Sequence, residues 1–183
     1  MNTKRRIFEM NNTTQRPPET LMIRINGVPQ GKGRPRFTKG GKAYTPQKTR
    51  RYEEAVREAA MLAVQEQGFV KHAAGTPLEV NINAFFPIPA SWPKKRRDAM
   101  MLGTLYLYPT VKPDADNLAK AILDALNGIA YHDDKQVVYC TVSKRYSSGS
   151  NTPCVVVHVA PMKTLVQLSE EELLDGLNEG ENT

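Results

Sequence analysis

Apolar positions recur with clear periods along most of this chain. Over residues 21–28 apolar and polar side chains alternate, the mark of a half-buried β-strand, and residues 78–86 repeat the pattern. Two further strands are expected over residues 136–146 and 154–159. Elsewhere the period lengthens. Tyr52, Val56, Ala59 and Ala63 share one stripe of a helix expected over residues 47–67. Leu118, Ile122, Ala125, Leu126 and Ile129 mark the buried face of another, with Pro113 before its start and Gly128 as its stop. Residues 94–102 read as a short helix after a proline-rich turn around Trp92. Strands and helices in this order predict a mixed α/β (α+β) fold: a small mixed sheet with two main helices packed on it.

The ends of the chain lack this patterning. Residues 1–19 are polar and expected to be disordered, residues 20–162 carry the single domain, and residues 163–183 form a tail. The last 19 residues hold six acidic groups and no basic one, with a short helix expected from Ser169; a solvated tail is the favoured reading.

The polar side of the helix after Pro113 changes the picture. At ~100° per residue, Asp116, Lys120 and Asp124 fall along one side, opposite Leu118, Ile122 and Leu126. Asp114 precedes Asp116 by two residues, and Asp133 and Asp134 follow the helix end. Close carboxylates repel, and a divalent cation is the natural resolution. Mg²⁺, with Mn²⁺ as its substitute, prefers such hard oxygen ligands and leaves positions for water and phosphate. Asp114, Asp116 and Asp134 are therefore candidate metal ligands, Asp133 is a lesser one, and Lys120 is a candidate for stabilising phosphate charge during in-line phosphodiester cleavage. Asp134 reaches the helix start only if the following segment runs back along the helix. The ordinary alternatives are a helix cap for Asp114 or Asp116, an Asp116–Lys120 surface pair, and turn chemistry for Asp133–Asp134.

Charge points the same way. The chain carries a formal net charge of +6 and a sequence pI near 9.3, the footprint expected of a phosphate-binding protein. Between Gly31 and Tyr52 stand eight cations and no acid: Lys32, Arg34, Arg36, Lys39, Lys42, Lys48, Arg50 and Arg51. Glycines at 31, 33, 40 and 41 are expected to let the backbone approach a phosphate chain, and Phe37 and Tyr44 to stack on bases. Lys94, Lys95, Arg96 and Arg97 form a second cluster, with Trp92 beside it as a wedge or a core residue.

The two cysteines, Cys140 and Cys154, show no zinc spacing and are expected to be small buried residues in a reducing compartment. His158 reads as structural, while His132 touches the acidic motif. No apolar run approaches the ~20 residues of a membrane span, and no signal peptide is evident, so a cytoplasmic protein without a small-molecule cofactor is expected.

The string PDADNLAKAILDALNG, followed by a DD pair and a Val-rich strand, resembles the RusA family of Holliday-junction resolvases. The block GVPQGKGRPRFTKGGKAYTPQKTRRYE is similar to the start of its phage-borne branch, and the resemblance covers roughly residues 21–160. It implies a homodimeric, Mg²⁺-dependent endodeoxyribonuclease that resolves four-way junctions by paired nicks, with metal ligands at Asp114, Asp116 and Asp134 and an essential lysine at Lys120. Extra residues between the second strand and the motif set this chain apart, which leaves nucleases for other branched DNA as an alternative. The rivals are a non-catalytic binder of branched DNA and a nucleotide phosphohydrolase, against which the long basic loops argue for a polymer.

Overall fold

Two helices lie on one face of a four-stranded sheet, and the alternation of the strands explains why. The computed structural model describes residues 17–149 and 152–162. In β1 (Leu21–Asn26), Leu21, Ile23 and Ile25 are buried while the residues between them are exposed. β4 (Leu78–Phe86) turns Leu78, Val80, Ile82 and Ala84 inward. β6 (Cys154–Pro161) adds Val155, Val157 and Val159 to the same face. α1 (Gln47–Gln67) contributes Tyr52, Val56, Ala60 and Ala63, and α3 (Ala115–Leu126) contributes Leu118, Ala121, Ile122, Ala125 and Leu126, all to one core. α1 packs on β1 and α3 on β5, and the two helices touch each other.

The strand order is β1-β6-β4-β5. β6 runs antiparallel to both β1 and β4, whereas β5 (Val137–Tyr146) is parallel to β4. A parallel pair cannot be closed by a hairpin and needs a crossover. Here the crossover holds α2 (Lys94–Met101) and α3. It returns the chain from the carboxyl end of β4 to the start of β5, and α3 runs back along that path. Lys144, near the end of β5, donates to the Val111 carbonyl just ahead of α3. Tyr131, after α3, donates to the Leu123 carbonyl.

The edges of the sheet differ. At β1, the Gln67 side chain accepts from the Met22 N–H at 3.0 Å and donates to the Met22 carbonyl at 2.6 Å, filling the place of a neighbouring strand. β5 pairs with β4 alone, and Val138 and Tyr139 near its start are exposed. On the uncovered face of the sheet, Thr141 and Ser143 donate to Asn81 and Asn83.

The basic segment is more ordered than its composition suggests. Instead of a plain loop it contains a hairpin, β2 (Arg36–Phe37) against β3 (Ala43–Tyr44). Gly41 turns it at φ 77°, a backbone angle that glycine adopts without strain. The cysteines are both free; Cys154 is buried as expected, but Cys140 is exposed. No described helix is long and apolar enough to cross a membrane. The expected Ser169 helix and most of the polar N-terminal stretch lie outside the described residues.

Candidate functional site

The crossover leaves an opening where the carboxyl ends of β4 and β5 meet the start of α3, the place where open α/β sheets generally bind ligands. A groove of about 1370 Å³ occupies it. Phe86 and Tyr146, the last residues of the two parallel strands, line it together with Asp114 and Asn117 from the α3 start. Lys32, Arg34, Arg36, Lys48 and Lys112 supply its positive lining. Of these, Lys112 was not anticipated; a cation two residues ahead of Asp114 was the available signal.

Two glycines hold the basic segment against this opening, and close packing requires both. A Cβ on Gly31 would sit 2.8 Å from the Pro113 Cβ and 3.0 Å from the Asn117 Cβ. A Cβ on Gly33 would sit 2.6 Å from the Thr49 hydroxyl, which accepts the Gly33 N–H at 3.1 Å. The Lys32 N–H meanwhile donates to the Asn117 carbonyl at 2.9 Å. The chain between them is thus seated on both α1 and α3, with no room for side chains at the two contact points.

Lys32 also departs from its expected role. Its ammonium lies 2.6 Å from Glu53 and 2.7 Å from Asp124. Burial works against its charge, but the bonds to Asp124 and Glu53 outweigh that cost and raise its pKa above the ordinary lysine value. It ties the basic segment to α1 and α3, so it is committed within the protein before any DNA arrives. Lys32 makes the only ion pairs among the described residues. Arg34, Arg36, Lys39, Lys42, Lys48, Arg50 and Arg51 keep their charges unpaired, as do Lys94, Lys95, Arg96 and Arg97. The last four open α2, whose first turn holds no acid; Asp98 follows them and forms no ion pair among the described residues. Arg96 covers the face of Trp92 at 3.8 Å, and Trp92 packs edge-on against Tyr146 of the groove, with ring centroids 5.0 Å apart. Trp92 is thereby half-buried in a stack.

The carboxylates come next. Asp114 occupies the N-cap position of α3, yet its side chain makes no capping bond. Asp116 lies in the first turn of the helix, exposed, and pairs with no cation; Lys120 is exposed as well and is not bridged to it. Asp133 is engaged, accepting from the Lys135 N–H at 3.0 Å. Asp134 opens the 3₁₀ turn Asp134–Gln136, which packs on α3. The ordinary roles of cap and ion pair are therefore unused by Asp114 and Asp116, and the turn bond falls to Asp133 alone.

Asp114 and Asp116 share the start of α3. Asp134 stands at the beginning of the return along the helix, and the buried Tyr131 phenol feels its charge together with that of Asp124, so that burial first and these charges second push the phenol up. Among the described residues no three His, Cys, Asp or Glu side chains are gathered into a group able to hold a metal. His132 is exposed, and its N–H donates to Gln136.

The comparison with known families bears directly on this opening. The family model described as "Endodeoxyribonuclease RusA" matches residues 26–160, from the end of β1 through β6. The chain belongs to the RusA family. The matched stretch contains the groove, both basic clusters and every candidate carboxylate. This RusA-family chain is also similar to a Bacillus subtilis (strain 168) protein, "Uncharacterized protein YqaN", at 30% identity over 145 residues, covering 78% of this chain and 99% of the relative. RusA membership makes the chain an endodeoxyribonuclease, an enzyme acting on DNA, and implies Holliday-junction cleavage.

Proposed function

We propose that this chain resolves four-way DNA junctions by divalent-metal-dependent hydrolysis, with paired symmetric nicks made by two copies. One observation carries the reading: an Asp114 carboxylate that makes no capping bond stands on the wall of a groove whose other charged lining residues are all cations. The cations attract the phosphate backbone, and the carboxylate is spare for metal chemistry.

The donor set fits a hard dication. Among the described residues no cation pairs with Asp114 or Asp116, and Asp114 makes no capping bond. Mg²⁺ is commonly held by one or two carboxylates, with water and phosphate completing its shell. Asp114 and Asp116 would hold it, and Mn²⁺ would suit the same oxygens; Asp134 stands beyond the far end of α3 and is not gathered with them among the described residues. When bound, such an ion supplies Lewis acidity at the scissile phosphate. The remaining roles belong to the chain. Lys120, one turn beyond Asp116, offsets negative charge on the phosphate. Arg34, Arg36 and Lys48 hold the backbone in the groove, while Lys39, Lys42, Arg50, Arg51 and the α2 cluster Lys94–Arg97 grip the arms. A junction of two-fold symmetry calls for two sites related by the same symmetry, hence a homodimer.

The decisive experiment is Asp116→Asn on a labelled four-way junction with Mg²⁺, with flap, duplex and nucleotide substrates alongside. Junction binding is expected to persist, or to tighten as repulsion is relieved, while cleavage is lost. A variant that cuts at the wild-type rate removes the assignment. Intact wild-type protein that binds junctions but never nicks them removes the enzyme reading in favour of a binding protein.

A further inference from the structure

The segment joining α2 to α3 carries two side chains that no part of the site uses. Tyr106 is 77% exposed and Tyr108 69%. Phenols bury large apolar area when they can, and these two do not. Burial alternates around them: Leu105 and Leu107 are half-buried, and Pro109 is buried. That alternation places both rings on the outer side of an extended stretch. The stretch is anchored at both ends. Thr104 and Leu105 donate to the Ala99 carbonyl of α2, and Lys144 holds the Val111 carbonyl. Val111, Lys112, Pro113 and Asp114 then line the groove. Tyr108 is three residues from Val111, a reach of at most ~11 Å.

We propose that Tyr106 and Tyr108 form a stacking clamp for a DNA base left unpaired at the branch of the substrate. This rests on the reading of the chain as a nuclease for branched DNA. Two residues along an extended chain advance about 6.6–6.8 Å. Stacked bases repeat every ~3.4 Å along a strand. The two side chains thus leave the backbone about two base repeats apart, room for one base, with the Tyr106 hydroxyl lying back towards Gly103. The surroundings favour a nucleic acid over a protein partner: Lys112 follows in the same segment, the four cations of α2 precede it, and none of these charges forms an ion pair among the described residues. Aromatic rings flanked by cations suit single-stranded nucleic acid.

The test uses the full-length protein and two labelled single-stranded oligodeoxynucleotides of equal length, one complete and one with abasic sites in its centre. Phosphate contacts are common to both, so their affinity ratio reports stacking alone. Wild type is expected to favour the complete strand by about tenfold for one stacked base. In a chain that already carries Phe37→Ala and Tyr44→Ala, the double substitution Tyr106→Ala and Tyr108→Ala should abolish the preference and leave affinity for the abasic strand unchanged. Tyr106→Phe with Tyr108→Phe should keep it, since the ring and not the hydroxyl stacks. Equal wild-type affinity for the two strands overturns the clamp, and so does a preference that survives the alanine pair. A fall in sedimented mass on alanine substitution with the preference intact would make the pair a protein contact instead. Junction cleavage followed in the same preparations separates the two readings: a base preference without nicking keeps the clamp and removes the nuclease.

Discussion

The Lys32 ammonium lies 2.7 Å from the Asp124 carboxylate, a partner 92 positions further along the chain. With Glu53 as its second partner, it joins the basic segment to both main helices at one point. Lys32→Met would leave two carboxylates facing each other in a partly buried setting. A stability loss of about 1–2 kcal/mol is expected in denaturant unfolding. Asp124→Asn should cost less, because Glu53 still pairs. In a double-mutant cycle the two substitutions should prove non-additive; strict additivity would show that the contact contributes nothing.

Gly31 tests how closely the basic segment must sit on α3. Alanine there needs space that the Pro113 and Asn117 side chains fill. Gly31→Ala should cost about 1–3 kcal/mol by overpacking. It should also lower DNA cleavage by moving the segment off the helix that carries Asp114 and Asp116. Gly40→Ala, where the nearest atom is 4.0 Å away, is the control and should leave both properties unchanged.

The groove cations predict a steep response to salt. Each phosphate contact on duplex DNA contributes about −0.9 to the log–log slope of affinity against salt concentration. Substituting Arg34, Arg36, Lys48 or Lys112 by Gln should flatten that slope by about one contact each, weakening all sequences alike. Lys32→Gln should change the slope least, because its charge is already spent on Asp124 and Glu53. A flat response in the wild type would contradict phosphate-led binding.

Tyr52 sets an alkaline limit on stability. Burial, opposed by the Gln30 backbone, pushes its phenol up to about 12. The unfolded phenol ionises near pH ~10. Between those values the unfolded chain binds fewer protons than the folded one, so stability is complete below the lower value and falls as pH rises through the higher. Tyr52→Phe should remove this part of the loss, as read by denaturant midpoints measured across that range.

Most of the elements were legible in the sequence because their signals are local. The residue 78–86 strand emerged at the expected bounds, and the α3 stripe placed Leu118, Ile122 and Leu126 in the core as read. The two-residue strands β2 and β3 are too short to show a period, so the sequence there reads as loop. Gly31 and Gly33 looked like phosphate-facing residues because their partners, Pro113, Asn117 and Thr49, lie elsewhere in the sequence. Lys32 was indistinguishable from its neighbours for the same reason. The carboxylate motif could be read residue by residue, but the path of the return could not. β5, not the Asp133–Asp134 turn, runs back along α3, and the two ends of the motif are joined by the whole length of that helix. Tyr106 and Tyr108 gave no signal at all, since an exposed and a buried tyrosine look alike in sequence.

The Gln67 amide, bonded to both backbone groups of Met22, has a consequence for self-association. Fibrous growth by strand addition needs a vacant border at each end of the repeating unit. Among the described residues one border is blunted at Met22 by a glutamine that mimics a peptide, with the charged Arg24 beside it, and the β5 border is left open for pairing. Strand-to-strand docking between copies is therefore hindered at one border and favoured at the other, which disfavours growth beyond a pair.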